Sequence, residues 1–219
     1  TVGDPTNFKD ALDVLAKYEI QAPLPVRRHL EAGLEETPKP GDERLACADT
    51  RIIARPAHAL EAAARIAERA GYRAQILGDG IQGEAREVAV EMAGLALGAA
   101  GPCVLLSGGE TVVNLKGNGR GGPNGEFMLA LALALDGAPN IYALACDTDG
   151  IDGSEDNAGA LITPDILARA RAAGMQAQTY LDNNDSYGFF QKLKDLIVTG
   201  PTLTNVGDFR AILVMPPAR

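Results

Sequence analysis

The chain is predicted to be an α/β protein whose mainly parallel sheet is sandwiched by helices in three layers. Apolar stretches of strand length alternate with helix-length amphipathic stretches between residues 51 and 145. Strands that alternate with helices in this way favour a parallel sheet covered on both faces. Hydrophobic residues make up 46% of the chain and aromatic residues only 5%. We therefore expect an aliphatic core.

The predicted elements follow in chain order. Two helices come first, one over Phe8–Leu15 and a second short one from Pro23 to Leu34, and a polar loop then leads to the alternating region. That region comprises strand Arg51–Ala54, helix Ala57–Ala70, strand Tyr72–Leu77, helix Glu84–Leu97, strand Cys103–Leu106, strand Thr111–Leu115, helix Glu126–Leu135 and strand Ile141–Ala145. It is followed by helices Pro164–Ala173 and Ser186–Leu193 and by strands Leu196–Val198 and Ala211–Val214.

Composition argues against several functional classes. A net charge of −9 without a basic stripe disfavours nucleic acid as a partner. The sequence shows no apolar run of membrane-spanning length and no secretory leader, so we expect no membrane partner. Its three cysteines include no Cys-x-x-Cys pair, which predicts free thiols in a reducing compartment, the cytoplasm.

Two glycine-containing segments follow predicted strands. Gly78–Glu84 matches G-x-G-x-x-G, but its acidic residues oppose a phosphate, so a tight strand-to-helix turn is favoured over a phosphate loop. In the second segment, Gly108 and Gly109 would bend a strand end and leave amide groups free. Glu110 would project from this corner as a candidate site residue, unless the corner is only a structural turn.

A third segment, Lys116–Glu126, contains more glycine than a turn requires. Its glycines can direct successive N–H groups at one anion, and Lys116 and Arg120 add positive charge. We therefore predict an anion or phosphate site, with a flexible surface loop as the alternative. The same segment also matches G-x-G-x-x-G, with Asp147 ending the next strand, so a dinucleotide site stays open although Pro123 interrupts the pattern.

Acidic residues are concentrated after the strand that ends near Ala145. The carboxylates are Asp147, Asp149, Asp152, Glu155 and Asp156. Oxygen-rich loops of this kind suit Mg²⁺, and a solvated acidic turn is the alternative. The segment Thr199–Val206 lines the same cleft or forms a hairpin end. With only His29 and His58 in the chain, a histidine metal cluster or a Ser-His-Asp triad is disfavoured, and the Walker pattern is absent.

Taken together, these loops resemble the C-terminal half of the glycerate 2-kinase family, whose members are also named hydroxypyruvate reductases. The C-terminal module of that family, called MOFRL, resembles Pro102–Val214. The matching strings are SGGETVV at Ser107–Val113, GNGRGGPNGEF at Gly117–Phe127, DTDGIDGSEDNAGA at Asp147–Ala160 and TGPTLTNVGDF at Thr199–Phe209. Upstream, VGDPTNFKDAL at Val2–Leu12 and GEAREVA at Gly83–Ala89 are similar to the end of the family's N-terminal domain.

The resemblance implies ATP-dependent phosphorylation of D-glycerate at its 2-hydroxyl, with Mg²⁺, in a cleft between two α/β lobes. Residues 1–100 would be the truncated end of the Rossmann-like kinase domain and residues 101–219 the MOFRL-like domain. The catalytic Lys would lie in the missing N-terminal half, so the isolated chain is expected to be inactive. The chain's partners would be glycerate and that missing half, and a homodimer is allowed.

The site residues carried over fall into four groups. The catalytic group is Glu110, Arg120, Asp147 and Asp149. Nucleotide contacts are expected from Gly108, Gly109, Lys116, Gly117, Gly119, Gly121, Gly122 and Asn124. The Mg²⁺ ligands are expected to be Asp147, Asp149 and Asp152. The substrate cleft is expected to include Thr202, Thr204 and Asn205.

One departure and two alternatives accompany this resemblance. Many family members have Arg where Pro123 stands, and Arg120 is the candidate to replace it. An NAD(P)H-dependent hydroxypyruvate reductase is the rival enzyme. A ligand-binding module without catalytic activity is the non-enzymatic alternative.

Overall fold

The computed structural model describes residues 2–216, which form two compact units. The first unit ends at Ile53 and the second begins at Ala54. This division differs from the boundary near residue 100 that the sequence predicts. Residues 73–97 belong to the second unit because the strand they contribute pairs with the next strand of that unit.

The first unit contains two helices and a short 3-10 turn. Helix α1 spans Phe8–Lys17 and α2 spans Leu24–Ala32. The Asn7 side chain accepts hydrogen bonds from the first turn of α1, and Asp10 bonds back to the Asn7 N–H, which completes a capping box. Glu36 accepts a hydrogen bond from the Phe8 N–H at 2.8 Å. These polar contacts fix the start of α1.

The second unit is built on one six-stranded sheet. Its strands are β1 (Arg73–Glu84), β2 (Cys103–Val112), β3 (Ile141–Asp147), β4 (Gly159–Ile162), β5 (Leu196–Ile197) and β6 (Asp208–Val214). Its helices are α3 (Pro56–Arg69), α4 (Ala85–Leu97), α5 (Pro123–Leu135), α6 (Ile166–Ala172), α7 (Ala177–Asp182) and α8 (Ser186–Leu193). The strand order across the sheet is β1-β2-β6-β3-β4-β5.

The α/β class and the helix-covered sheet are confirmed, but the expectation of mainly parallel pairing is wrong. Only β1 and β2 pair in parallel, and the other four neighbouring pairs among the described strands are antiparallel. Two of these four pairs arise because the last strand, β6, inserts between β2 and β3 and runs against both, and the other two arise because β4 runs against β3 and β5. The strand-helix alternation earlier in the chain carries no signal of this insertion.

Helices pack on both faces of the sheet. Helix α3 contacts β1, β2 and β6, whereas α4 and α5 pack against each other and against β1–β4. Leu105 belongs to the main core with α4 and α5. Its neighbour Leu106 is also buried but points to the opposite face, because side chains alternate along a strand. Helix α5 is apolar around its circumference and most of its residues are buried.

Several predicted elements differ from the structure. Residues 51–54 are irregular instead of forming a strand, and of the strand expected over Thr111–Leu115 only the first two residues are in a strand, the end of β2. Strand β4 and helix α7 were not predicted, since both are short. No helix within residues 2–216 is both long and apolar enough to cross a membrane.

Candidate functional site

A polar cavity of about 340 Å³ lies at the edge of the sheet where β2 ends and β6 begins. The residues that line it include Asp79, Gln82, Glu110, Asn205, Val206 and Pro56. Backbone from Gly80, Gly109 and Gly207 completes the lining. Four different parts of the sequence therefore converge on one cavity.

The diglycine segment is part of a strand and does not form the predicted corner. Gly108 and Gly109 lie inside β2, paired with Phe209 and Asp208 of β6. Gly109 has a φ of +129°, and an added Cβ would overlap the Ile81 backbone of β1. The glycine is therefore needed for the close approach of the two strands. Glu110 itself is exposed and lines the cavity.

The first G-x-G-x-x-G segment is neither a turn nor a phosphate loop. Strand β1 continues through it to Glu84, with register shifts between Ile76 and Gly78 and between Gly78 and Ile81. These irregularities keep the segment paired with β2 despite its extra residues. Asp79 and Gln82 reach the cavity from this irregular strand.

The loop after β3 and the loop before β6 are joined by hydrogen bonds. The Asn205 side chain donates to Asp149 Oδ2 at 3.1 Å and accepts from the Gly207 N–H at 2.8 Å. Thr202 Oγ1 donates to the Thr148 carbonyl at 2.5 Å. Asn205 lines the cavity, whereas Thr202 and Thr204 are exposed on the same loop. The structure thus bonds Asn205 to Asp149, and Asn205 lines the cavity together with Glu110.

Asp147 ends β3 next to two other acids. It lies in register with Asp208, which is in register with Gly109 on the other side. Burial raises the pKa of Asp147, and the neighbouring charges of Asp149 and Asp208 raise it further. These carboxylates crowd the strand ends directly beside the cavity-lining segments.

Asp152 has a structural role that the sequence did not reveal. It is 1% exposed, and its two oxygens accept the N–H groups of Asn124 at 2.9 Å and Gly125 at 2.7 Å. Its carboxylate therefore occupies the N-terminus of α5, where an anion was expected. Burial raises the pKa of Asp152 to about 6, although these hydrogen bonds oppose the rise. The expected role of Asp152 as a metal ligand is not supported by this position.

Asn124 is equally enclosed. It is 1% exposed, and its side chain donates to Asp208 Oδ1 at 2.7 Å. Asp208 also pairs with Arg210, a 1% exposed residue whose guanidinium lies 5.2 Å from the Phe127 ring centroid. The predicted nucleotide contact at Asn124 is therefore replaced by a buried polar network. Sequence reasoning missed Asp208 and Arg210, although charged residues at the start of an apolar strand are a signal of such a network.

The glycine-rich segment offers few free amides. The N–H groups of Lys116 and Gly117 donate to Asn184 Oδ1, at 2.7 Å and 3.0 Å. Those that follow also donate within the protein: Asn118 to Asn183 Oδ1, Gly119 to the Asn183 carbonyl and Arg120 to Asp185 Oδ1. The prediction that these amides surround a phosphate is therefore wrong, because the loop before α8 already accepts their hydrogen bonds.

The glycines of this segment allow that packing. An added Cβ at Gly117, Gly119, Gly121 or Gly122 would overlap the segment 183–186 or Asp152. Arg120 also faces this side: it pairs with Glu155 at 3.2 Å and lies 4.7 Å from the Tyr187 ring centroid. Arg120 does not line the polar cavity. The structure therefore separates Arg120 from Glu110.

Between residues 2 and 216 there is no group of three or more His, Cys, Asp or Glu side chains placed to hold a metal ion. Asp147 and Asp149 remain adjacent, and the Asp149 N–H donates to Asp147 Oδ1 at 3.0 Å.

Comparison with known proteins agrees with this fold. Residues 103–208 match the MOFRL family. A protein from Agrobacterium vitis, whose name provisionally assigns it hydroxypyruvate reductase activity, is 51% identical over 98% of this chain and 50% of its own length. The D-glycerate 2-kinase of Thermotoga maritima is 36% identical over 94% of this chain and 49% of its own length. The crystal structure of a glycerate kinase from Thermotoga maritima is similar with a TM-score of 0.80 at 34% identity, covering 97% of this chain and 51% of that chain.

The second unit is thus an α/β domain with a polar cavity at its sheet edge. Residues 103–208 are the part of this unit that matches the MOFRL family. This match lies within the predicted domain 101–219, whereas the assignment of residues 1–100 to a kinase domain stays a prediction. The chain spans about half the length of the curated relatives it matches.

Proposed function

We propose that the natural full-length protein phosphorylates D-glycerate at its 2-hydroxyl, using ATP and Mg²⁺. One observation carries the proposal: Asn205 lines the polar cavity beside Glu110 and donates to Asp149 at 3.1 Å. Residues from the ends of β2 and β3 and from the start of β6 are thereby joined in one site. The glycerate kinases among the similar proteins support this choice of reaction.

The acids at the end of β3 fit a magnesium ion. Mg²⁺ commonly takes one or two carboxylates together with substrate phosphates. Asp147 and Asp149, which are only partly buried, would supply these two carboxylates, whereas Asp152 is buried and both its oxygens accept backbone amides. The raised pKa of Asp147 reflects burial and unrelieved repulsion from neighbouring acids, which a cation would relieve. When bound, the ion would neutralise charge on the phosphate oxygens.

The other site residues then take distinct roles. The Glu110 carboxylate, exposed in the cavity, would accept a hydrogen bond from the glycerate 2-hydroxyl and orient its oxygen. Both ends of the Asn205 amide are already bonded, so Asn205 would position Asp149 rather than bind substrate. Thr202 and Thr204 would form the exposed wall of the substrate cleft.

Positive charge must come from elsewhere in the protein. Within the described residues, the cavity lining contains two carboxylates and no basic side chain. Lys116 is exposed on the glycine-rich segment, and we propose that its ammonium group contacts the nucleotide phosphates. The three free cysteines favour a reducing compartment, and we propose the cytoplasm.

A coupled assay of the natural full-length protein tests the proposal. We expect ADP formation that requires both D-glycerate and Mg²⁺, with 2-phosphoglycerate as the product. The same preparation is assayed with hydroxypyruvate and NADH or NADPH as the matched control. If reduced nicotinamide is consumed and no glycerate-dependent ADP forms, the protein is a reductase and the proposed kinase activity is wrong.

A further inference from the structure

The segment 183–185 determines the course of the glycine-rich segment. We propose that Asn184 is a positioning residue that holds Lys116 where its ammonium group can contact nucleotide phosphates. This inference rests on the proposed glycerate kinase function.

Asn184 uses the hydrogen-bonding capacity of its side chain on both sides. Its Oδ1 accepts the N–H groups of Lys116 at 2.7 Å and Gly117 at 3.0 Å. Its Nδ2 donates to Glu126 Oε1 at 3.0 Å and more weakly to the Asn114 carbonyl at 3.4 Å. Asn184 is 3% exposed, so any of these groups left unpaired would be costly.

The partner of Asn184 in the core is itself fixed. Glu126 pairs with Arg86 of α4 at 2.5 Å, and Arg86 also donates to the Leu181 carbonyl at 2.6 Å. Because Arg86 and Glu126 belong to two packed helices, they give the Asn184 amide a rigid reference point. The Asn184 side chain, held in this way, fixes the backbone at Lys116 and Gly117 through the hydrogen bonds that it accepts from them.

An amide is the chemical group that this position requires. An aspartate would place a second carboxylate against Glu126, and an apolar side chain would leave two N–H groups of the loop without acceptors. The backbone of Asn184 also restricts which residues can replace it, since its φ is +54°. Glycine tolerates that φ, so Asn184→Gly removes the amide while it keeps the backbone conformation accessible.

The test compares Asn184→Gly with Asn140→Gly in the natural full-length protein. Asn140 has a φ of +66° but lies at the other end of the sheet, so it controls for a new glycine at positive φ. For Asn184→Gly we expect trypsin to cut after Lys116 or Arg120 at least about tenfold faster. We also expect the KM for ATP to rise about tenfold, with the KM for glycerate changed less than about twofold. Asn140→Gly should leave all three values near those of the wild type.

Several outcomes would overturn the inference. Unchanged cleavage would show that Asn184 does not hold the loop, and an unchanged KM for ATP would show that the loop does not serve the nucleotide. If Asn184→Gly does not fold, hydrogen exchange of the wild type decides: the amides of Lys116 and Gly117 must be protected, and exchange at unfolded-chain rates overturns the inference. If the wild type forms no ADP in the presence of glycerate, the proposed function itself is wrong. The cleavage and exchange results test the hydrogen bonds of Asn184 to the loop independently of that function.

Discussion

Gly109 offers a sharp test of how β1 and β2 approach one another. Its φ of +129° is rarely adopted by residues that carry a side chain. In Gly109→Ala, the new Cβ would overlap the Ile81 N and O atoms and lie 2.8 Å from the Ile81 carbonyl carbon. Because these are backbone atoms, no side-chain rotation can relieve the clash, and β1 must move.

The cost follows from two separate effects. A strained backbone conformation costs about 1–3 kcal/mol. Overpacking of a close contact costs about another 1–3 kcal/mol. We therefore expect Gly109→Ala to lower the free energy of unfolding by about 2–6 kcal/mol, measured by urea denaturation of the natural full-length protein. Gly80→Ala is the matched control, since its Cβ would meet nothing within 4 Å. An unchanged urea midpoint for Gly109→Ala would refute the described pairing.

Two further predictions concern ionisable groups. Burial raises the pKa of Asp152 to about 6, so the folded protein holds this proton more tightly than the unfolded chain. The stability from that proton is present below about pH 4 and is lost as the pH rises through about 6. Between about pH 4.5 and pH 7, the wild type should therefore lose about 2 kcal/mol more of its free energy of unfolding than Asp152→Asn does. Urea unfolding at the two pH values measures this difference, and an identical pH dependence of the two proteins would argue against the prediction. Burial, aided by the nearby Asp147, raises the pKa of the Cys146 thiol to about 11. In native alkylation at about pH 8, we expect the exposed Cys47 to react at least about tenfold faster than Cys146, and equal rates would contradict this expectation.

Local patterns in the sequence predicted most of the helices correctly. The helix expected over Glu84–Leu97 is α4, Ala85–Leu97, and the helix expected over Ser186–Leu193 has these same bounds. Their apolar spacing and end signals lie within the segments themselves. The partners of β6 lie about 60 to 110 residues away in the chain, so no local pattern could place it.

The candidate site was predicted in part. Glu110 and Asn205 line one cavity, with Asp149 bonded to Asn205, because strand ends and the loops beside them do converge. The roles of Asp152 and of the glycine-rich segment were misassigned for one physical reason. Glycine-rich backbone offers N–H groups, but the sequence does not reveal whether a ligand or a distant side chain such as Asn184 accepts them.

The kinase reaction and its Mg²⁺, the homodimer and the catalytic role of Arg120 stay predictions. The structure bears on Arg120 by pairing it with Glu155, away from the cavity lining. Pro123, where many family members have Arg, begins α5. For the proposed phosphoryl transfer, Lys116 is then the candidate to supply positive charge.

The most direct test is the rate of glycerate-dependent ADP formation by Asp147→Asn in the natural full-length protein. Asp136→Asn is the matched control, because Asp136 ends α5 in the left-handed conformation that asparagine also adopts. We expect Asp147→Asn to lower kcat by on the order of a hundredfold or more, because the substitution removes a carboxylate from the proposed magnesium site, and Asp136→Asn to retain the wild-type rate. An unchanged kcat in Asp147→Asn would contradict the proposal that the acids at the end of β3 act in phosphoryl transfer.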